Sequence, residues 1–322
     1  MMSIEFIINE LNAAFNNNVK NLLNYCNSSI KSISNSKLRA SIKKINIQKI
    51  NIYFTTNYNI LKNKLNLDIN AAQRQSKKRA LLIGCDYIGT EYQLSGCIND
   101  VENIQTKLKS QYGFNNIVIM TDNTDKKPTK ANILDELKNL LTSANSEDKL
   151  FLSFSGHGFK IKDTSGDEKD KLDEVFVSLD LDYINDDEIK IFINNNLKKN
   201  VTLFALFDCC HSGTILDLRY QYLDSENNDK ASENTNVSET VGNIIMISGC
   251  MDNQTSEEVF ANNKNQGAMT WAFLDTINKN PNLTWKDLIT TMRGSLKSSK
   301  YQQIPQLSSG KKLDLNTQLC LL

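Results

Sequence analysis

The stretch from Val201 to Gly213 narrows the choice of folds more than any other part of the chain. Val201-Thr202-Leu203-Phe204-Ala205-Leu206-Phe207 is an unbroken apolar or β-prone run, the signature of a strand buried on both faces of a parallel sheet. It stops abruptly at Asp208-Cys209-Cys210-His211-Ser212-Gly213. In an open α/β sheet, chemistry gathers beyond the carboxyl ends of the strands, which is where these polar groups fall. A second strand ends the same way, with Lys149-Leu150-Phe151-Leu152-Ser153-Phe154 leading into Ser155-Gly156-His157-Gly158. If the two strands are neighbours, a histidine and a cysteine face each other across one sheet edge. The sequence has two histidines, and both lie in these tips.

With 322 residues the chain can bury the core of one large α/β domain and still carry an extension. Lysine plus arginine equals aspartate plus glutamate at 37 each, which removes the electrostatic case for a dedicated nucleic-acid binder. Seven cysteines, an odd number, are spaced as no disulfide framework is. Glu5 and Glu10 interrupt the apolar pattern of Met1 to Phe15, so it is a poor secretory signal. No apolar run approaches a membrane span. These features point to a reducing, cytoplasmic setting in which thiols are free for chemistry.

Residues 1–78 differ from the rest. They are rich in Asn, Ile, Lys and Ser and contain neither proline nor glycine. Ile4, Ile7, Ile8, Leu11, Phe15, Val19, Leu22 and Leu23 recur at helical spacing, whereas Ile45 to Tyr53 alternates and fits either a strand or a continuing helix. The extension reads as helical or partly disordered, and a lid is one role open to it. Gln73 to Arg79 forms a basic hinge.

From Arg79 strands and helices alternate. Strands are expected at Ala80–Cys85, Asn116–Met120, Leu150–Phe154, Val201–Phe207 and Asn243–Ser248. Helices are expected at Cys97–Tyr112, closed by Gly113, from Pro128 to about Ala144, and at Glu188–Leu197, Ala268–Ile277 and Trp285–Leu296. An acidic loop spans Asp163 to Glu188, and a polar linker covers 224–241. The fold class is therefore α/β, a mainly parallel sheet with helices on both faces, built from residues 79–223 and 242–322.

A thiol and an imidazole at adjacent strand tips suit nucleophilic catalysis. Cys210 sits where the chain leaves the sheet, while Cys209 points the other way, towards the core. His211 follows Cys210 directly and points apart from it, so His157 is the better base. Buried cysteines beside a capping histidine would give the same tips without chemistry. Other thiol readings fail on spacing. No C-x-x-C pair suits zinc, no cysteine is followed by the C-x5-R of thiolate phosphatases, and no G-x-S-x-G elbow is present.

These tips resemble the histidine and cysteine motifs of metacaspases, the caspase-like cysteine peptidases. Leu94-Ser95-Gly96-Cys97-Ile98-Asn99-Asp100-Val101 is similar to that family's first block. Residues 247–256 and Gly267-Ala268-Met269-Thr270-Trp271-Ala272-Phe273 resemble its small-subunit blocks. The resemblance runs in order from Arg79 to the C-terminus. It implies a large-subunit-like part over 79–223 and a small-subunit-like part over 242–322. The short linker is like type I members, although the extension lacks their proline-rich character.

The resemblance implies a His157–Cys210 dyad, with main-chain N–H groups of Gly158 and Cys210 as the oxyanion hole. It also implies a specificity pocket of Cys97, Asp100, Ser155 and Asp208. Paired carboxylates there favour arginine or lysine before the scissile bond. Calcium is implied at Asp173, Asp186, Asp187 and Asp217, although an acidic run is ordinarily solvated surface and this one misses the EF-hand template. The expected protein is a monomeric, calcium-dependent cysteine endopeptidase acting on proteins or peptides. It would process itself at the Arg74–Arg79 hinge or at Lys230. The rival reading is a silent scaffold of the same fold, against which the intact His157, Cys210, Asp100 and Asp208 argue.

Overall fold

The computed structural model describes residues 4–73, 77–162, 172–210, 213, 215–222, 231–249, 258–261, 264–280 and 282–319. The chain divides into two compact units, Met1–Gln75 and Ser76–Leu322.

The first unit is a hairpin of two long helices, α1 (Ile4–Asn35) and α2 (Ala40–Gln73). Ile8, Asn12, Phe15, Val19, Leu22 and Cys26 of α1 recur at alternating steps of four and three and form its seam. Ile47, Ile50, Phe54, Tyr58, Leu61 and Leu65 of α2 supply the facing seam, and the Phe15 and Tyr58 rings meet at 6.0 Å. The alternation at Ile45–Tyr53 is thus helical. It arises because isoleucine occupies two sides of α2, with Ile47 and Ile50 in the seam and Ile45, Ile52 and Tyr53 exposed.

The second unit is an α/β layer structure. Its strands are β1 (Lys78–Gly84), β2 (Asn116–Thr121), β3 (Lys149–Ser155), β4 (Gly158–Lys162), β5 (Leu172–Val177), β6 (Tyr183–Asn185), β7 (Thr202–Asp208), β8 (Tyr220–Tyr222), β9 (Ser232–Glu233), β10 (Asn243–Ser248), β11 (Glu258–Ala261), β12 (Lys264–Gly267) and β13 (Gln306–Ser309). Its helices are α3 (Cys97–Tyr112), α4 (Lys130–Thr142), α5 (Asp186–Asn196), α6 (Ala268–Lys279) and α7 (Trp285–Ser298). The main sheet runs β2-β1-β3-β7-β10-β13-β8-β9, parallel from β2 to β10 and antiparallel beyond.

Strand alternation sorts the two faces of this sheet. Leu82, Phe151 and Phe204 pack with Val101 and Leu108 of α3, Phe273 of α6 and Met292 of α7. Leu81, Leu152 and Leu203 pack with Ile133 and Leu137 of α4 and Ile189 and Ile193 of α5. Helix ends are set locally: Thr129 and Asn185 cap α4 and α5, and Gly113 closes α3 at φ 70°.

Part of the expected acidic loop is regular structure. Residues 163–171 lie outside the described residues, but Val175, Phe176 and Val177 are buried in β5, the middle strand of a small β4-β5-β6 sheet. Within the expected linker, 224–230 also lie outside the described residues, whereas β9 pairs with β8. Among the described residues no helix is long and apolar enough to cross a membrane.

Candidate active site

The two diagnostic strands are neighbours. β3 and β7 run parallel in a register that sets Ser155 opposite Asp208, and the Gly156 N–H donates to the Asp208 carbonyl at 3.3 Å. His157 and Cys210 each lie two residues beyond that pair. Cys209 is fully buried while Cys210 is partly exposed. Gly158 opens β4 hard against the Cys210 carbonyl oxygen, and a Cβ there would also lie 3.2 Å from the Cys209 sulfur. No larger residue fits so close a backbone approach. His211 and Ser212 lie outside the described residues.

His157 is held from three sides. Its main-chain N–H donates to the Tyr87 hydroxyl at 3.0 Å, and that hydroxyl donates to the Val177 carbonyl at 2.8 Å. The Val177 N–H in turn donates to the His157 carbonyl at 3.0 Å. The fully buried Tyr87 ring lies 4.9 Å from the imidazole, centroid to centroid. At its far side, Nε2 is 2.7 Å from the Tyr92 carbonyl oxygen. A carbonyl only accepts, so Nε2 carries a proton and Nδ1 of the neutral ring is the basic nitrogen. The sequence offers Tyr87 and Tyr92 no signal beyond their place after a strand, and the cradle was not foreseen from it.

Beneath this edge lies the acidic pair. The Ser155 hydroxyl donates to Asp100 Oδ2 at 2.6 Å, and the Gly267 N–H reaches both Asp100 oxygens at 3.0 and 3.1 Å. The Thr270 N–H donates to Asp208 Oδ2 at 2.8 Å. A Cβ on Gly267 would collide with the Asp208 carboxylate and stand 2.8 Å from Asp100 Oδ2. Gly267 and Thr270, from the end of β12 and the start of α6, are pocket members that sequence reasoning quoted but did not assign. Asp100 is fully buried and Asp208 nearly so. Burial first, then the charge of Asp208, push the Asp100 carboxyl well above the usual range, against the bonds from Ser155 and Gly267. Cys97 is buried beside them, its thiol pushed well up by burial and by Asp100. The structure thus brings Cys97, Asp100, Ser155 and Asp208 together.

The other four carboxylates are less closely gathered. Asp173 and Asp186 are buried, and Asp186 accepts from the main-chain N–H of Glu174 at 3.0 Å and of Asp187 at 2.8 Å. Its carboxyl is pushed up to about 6, by burial above all and by the nearby Asp173 and Asp187 charges. Asp217 instead pairs with Lys190, one turn along α5. Among the described residues no three acidic, histidine or cysteine side chains converge closely enough to hold a metal ion. The donor chemistry suits a hard cation such as calcium, but Asp217 is engaged by Lys190 and the described carboxylates do not converge on one point.

A mainly parallel sheet carrying an accessible thiol and a cradled imidazole at adjacent strand ends defines a caspase-like α/β fold. The solved structure of protein GSU0716 from Geobacter sulfurreducens shares this fold, with a TM-score of 0.56 at 23% identity over 74% of this chain and 95% of that one. Residues 78–219 match the family described as metacaspase, peptidase C14 domain. Metacaspase-1 of Kluyveromyces lactis is 35% identical, with 78% of this chain and 70% of that protein aligned. Metacaspase-1B of Aspergillus fumigatus is 36% identical over 74% of this chain and 71% of that one, and Metacaspase-1 of Schizosaccharomyces pombe 34% over 77% and 70%. The chain belongs to the metacaspases, and it is a cysteine-type peptidase.

Proposed function

We propose that this peptidase cleaves protein substrates after arginine or lysine, with Cys210 as nucleophile and His157 as base. Nδ1 of His157 takes the Cys210 proton, and the sulfur attacks the scissile carbonyl carbon to form a tetrahedral oxyanion. The main-chain N–H groups of Gly158 and Cys210 stabilise that oxyanion. The same nitrogen protonates the departing amine, and water then hydrolyses the thioester to restore the thiol. The observation that carries the specificity is the buried Asp100–Asp208 pair. Two carboxylates at that depth strongly disfavour an anion and receive a guanidinium with bidentate bonds.

Calcium fits as an ordering ligand rather than a chemical participant. Asp173, Asp186 and Asp187 would hold it, with Asp217 joining once released by Lys190. Self-processing fits best at Arg74 or Lys230, both outside the described residues. Arg79 is disfavoured because a core strand follows it, and Lys77 and Lys78 are poorer sites than the hinge alone implies. The Lys77 N–H donates to Asp148 Oδ1 at 2.8 Å and β1 begins at Lys78, so cutting there would require unpairing the sheet.

The test is an arginine-ended reporter peptide offered to Cys210→Ala and Cys209→Ala with and without calcium. The first variant should be inactive and the second should keep substantial activity; the reverse pattern contradicts the assignment. Fragment masses from wild type and Cys210→Ala incubated with calcium check self-processing, which predicts fragments from the wild type alone.

A further inference from the structure

The face of α3 that brings Asp100 to the specificity pocket continues beyond it. Asn103 and Lys107, one and two turns on, stand against Gln266 of β12 and against Trp271, Leu274 and Asn278 of α6. Together they wall a cavity of about 360 Å³. This falls within the range of small-ligand sites, roughly 300–1,000 Å³.

Lys107 gives the cavity its chemistry. It is only 7% exposed. Its ammonium donates to Asn278 Oδ1 and lies 5.8 Å from the centroid of the Tyr112 ring. Neither neighbour neutralises the charge, and burial holds the pKa of Lys107 below the usual lysine value. Among the described residues no carboxylate pairs with it. The acid on the same wall, Asp275, is held by Lys279 at 2.6 Å. The stem of Lys107 is packed while its ammonium faces the cavity, and an ammonium with no carboxylate partner there favours an incoming anion.

We propose that this cavity binds a small carboxylate with an aromatic or apolar body. The carboxylate pairs with Lys107, and the body lies on Trp271 and Leu274. The site also touches the specificity pocket. Asn103 Nδ2 donates to Gln266 Oε1 at 3.0 Å, and the next residue, Gly267, donates to Asp100. Occupancy therefore biases the segment that holds Asp100, and the coupling is reciprocal. That coupling rests on the acidic-pocket reading; the binding does not.

Trp271 supplies the readout, because the other tryptophan, Trp285, is buried in the core. The probe is 3-phenylpropionate, with 3-phenylpropanamide as its uncharged counterpart, titrated against the full chain while tryptophan fluorescence is recorded. The carboxylate should give a saturable change with Kd around 1 mM, as one ion pair and one apolar contact allow. The amide should give none, and Lys107→Met should weaken binding at least tenfold. Asp208→Asn should bind the probe as wild type does, so that failure of the acidic-pocket reading leaves this test intact. Equal binding of acid and amide, wild-type binding by Lys107→Met, or no saturable change would each overturn the proposal. The comparison of acid with amide needs no variant and so does not depend on the folding of Lys107→Met.

Discussion

Two groups of carboxylates in one unit, Asp100 with Asp208 and Asp173 with Asp186, Asp187 and Asp217, meet opposite treatment. The first pair is deeply buried and receives Ser155, Gly267 and Thr270 as fixed donors, setting two carboxyl groups on one spot with the proton of Asp100 held by burial and by Asp208. The second group keeps its charges apart, with Asp217 taken up by Lys190 and Asp186 bonded to the start of its own helix. Preassembly suits the first to the role proposed for it, a receptor for a cationic side chain of the substrate. The second would have to be assembled by the calcium ion proposed for it.

The largest consequence falls on the first pair. Asp208→Asn should lower kcat/KM for arginine reporters by about 10- to 150-fold, the equivalent of a charge-assisted bond worth about 1.5–3 kcal/mol. The same variant should raise the melting temperature, because it removes a buried carboxylate charge. A variant that is both less active and less stable would place Asp208 in the scaffold rather than the receptor.

Next in size is a pH effect on the second group. Folded Asp186 holds its proton up to about pH 6, whereas the unfolded chain releases it near the ordinary value of 3.8. The raised pKa favours folding below the unfolded value, and the benefit is lost as pH rises to about 6. Without calcium, stability should therefore fall across that window, by at most about 3 kcal/mol. Calcium should flatten the profile if it occupies this group, and thermal melts at several pH values with and without the ion check this.

A pH effect of opposite sign belongs to the first pair. Asp100 must lose its proton to receive a cation, so binding of an arginine side chain releases a proton and 1/KM should rise with pH. Asp100→Asn should abolish that slope. The smallest effect is at Lys190. Lys190→Met should tighten calcium binding by up to about fivefold, since a partly exposed ion pair contributes about 1 kcal/mol. Calorimetry gives the constant directly, and unchanged affinity would mean that Asp217 is no ligand.

How much of this was legible in the sequence varied with the kind of residue. Cys97–Tyr112 and Asn243–Ser248 have the ends that capping and apolar runs predict, because local chemistry sets them. Two apolar strands with polar tips raised the adjacency of β3 and β7 only as a condition, and the register of the sheet meets it. What escaped was non-local or made by the main chain. The Tyr92 carbonyl against His157 and the Gly267 N–H against Asp100 leave no side-chain signature. The small β4-β5-β6 sheet hid inside an acidic stretch because charge masked the Val175-Phe176-Val177 run. Ile45–Tyr53 left strand and helix both open for a different reason, since two apolar faces of one helix imitate the period of a strand.

If the Asp100–Asp208 pair receives a cationic side chain for attack by Cys210, cleavage must follow the charge of the residue before the scissile bond. A panel of four otherwise identical reporter peptides, ending in Arg, Lys, Asp or Leu before the scissile bond, tests it in one experiment on the wild-type chain. Cleavage of the Arg and Lys peptides with kcat/KM at least a hundredfold above the Asp and Leu peptides is the predicted result; preference for Asp, or no preference among the four, would contradict it.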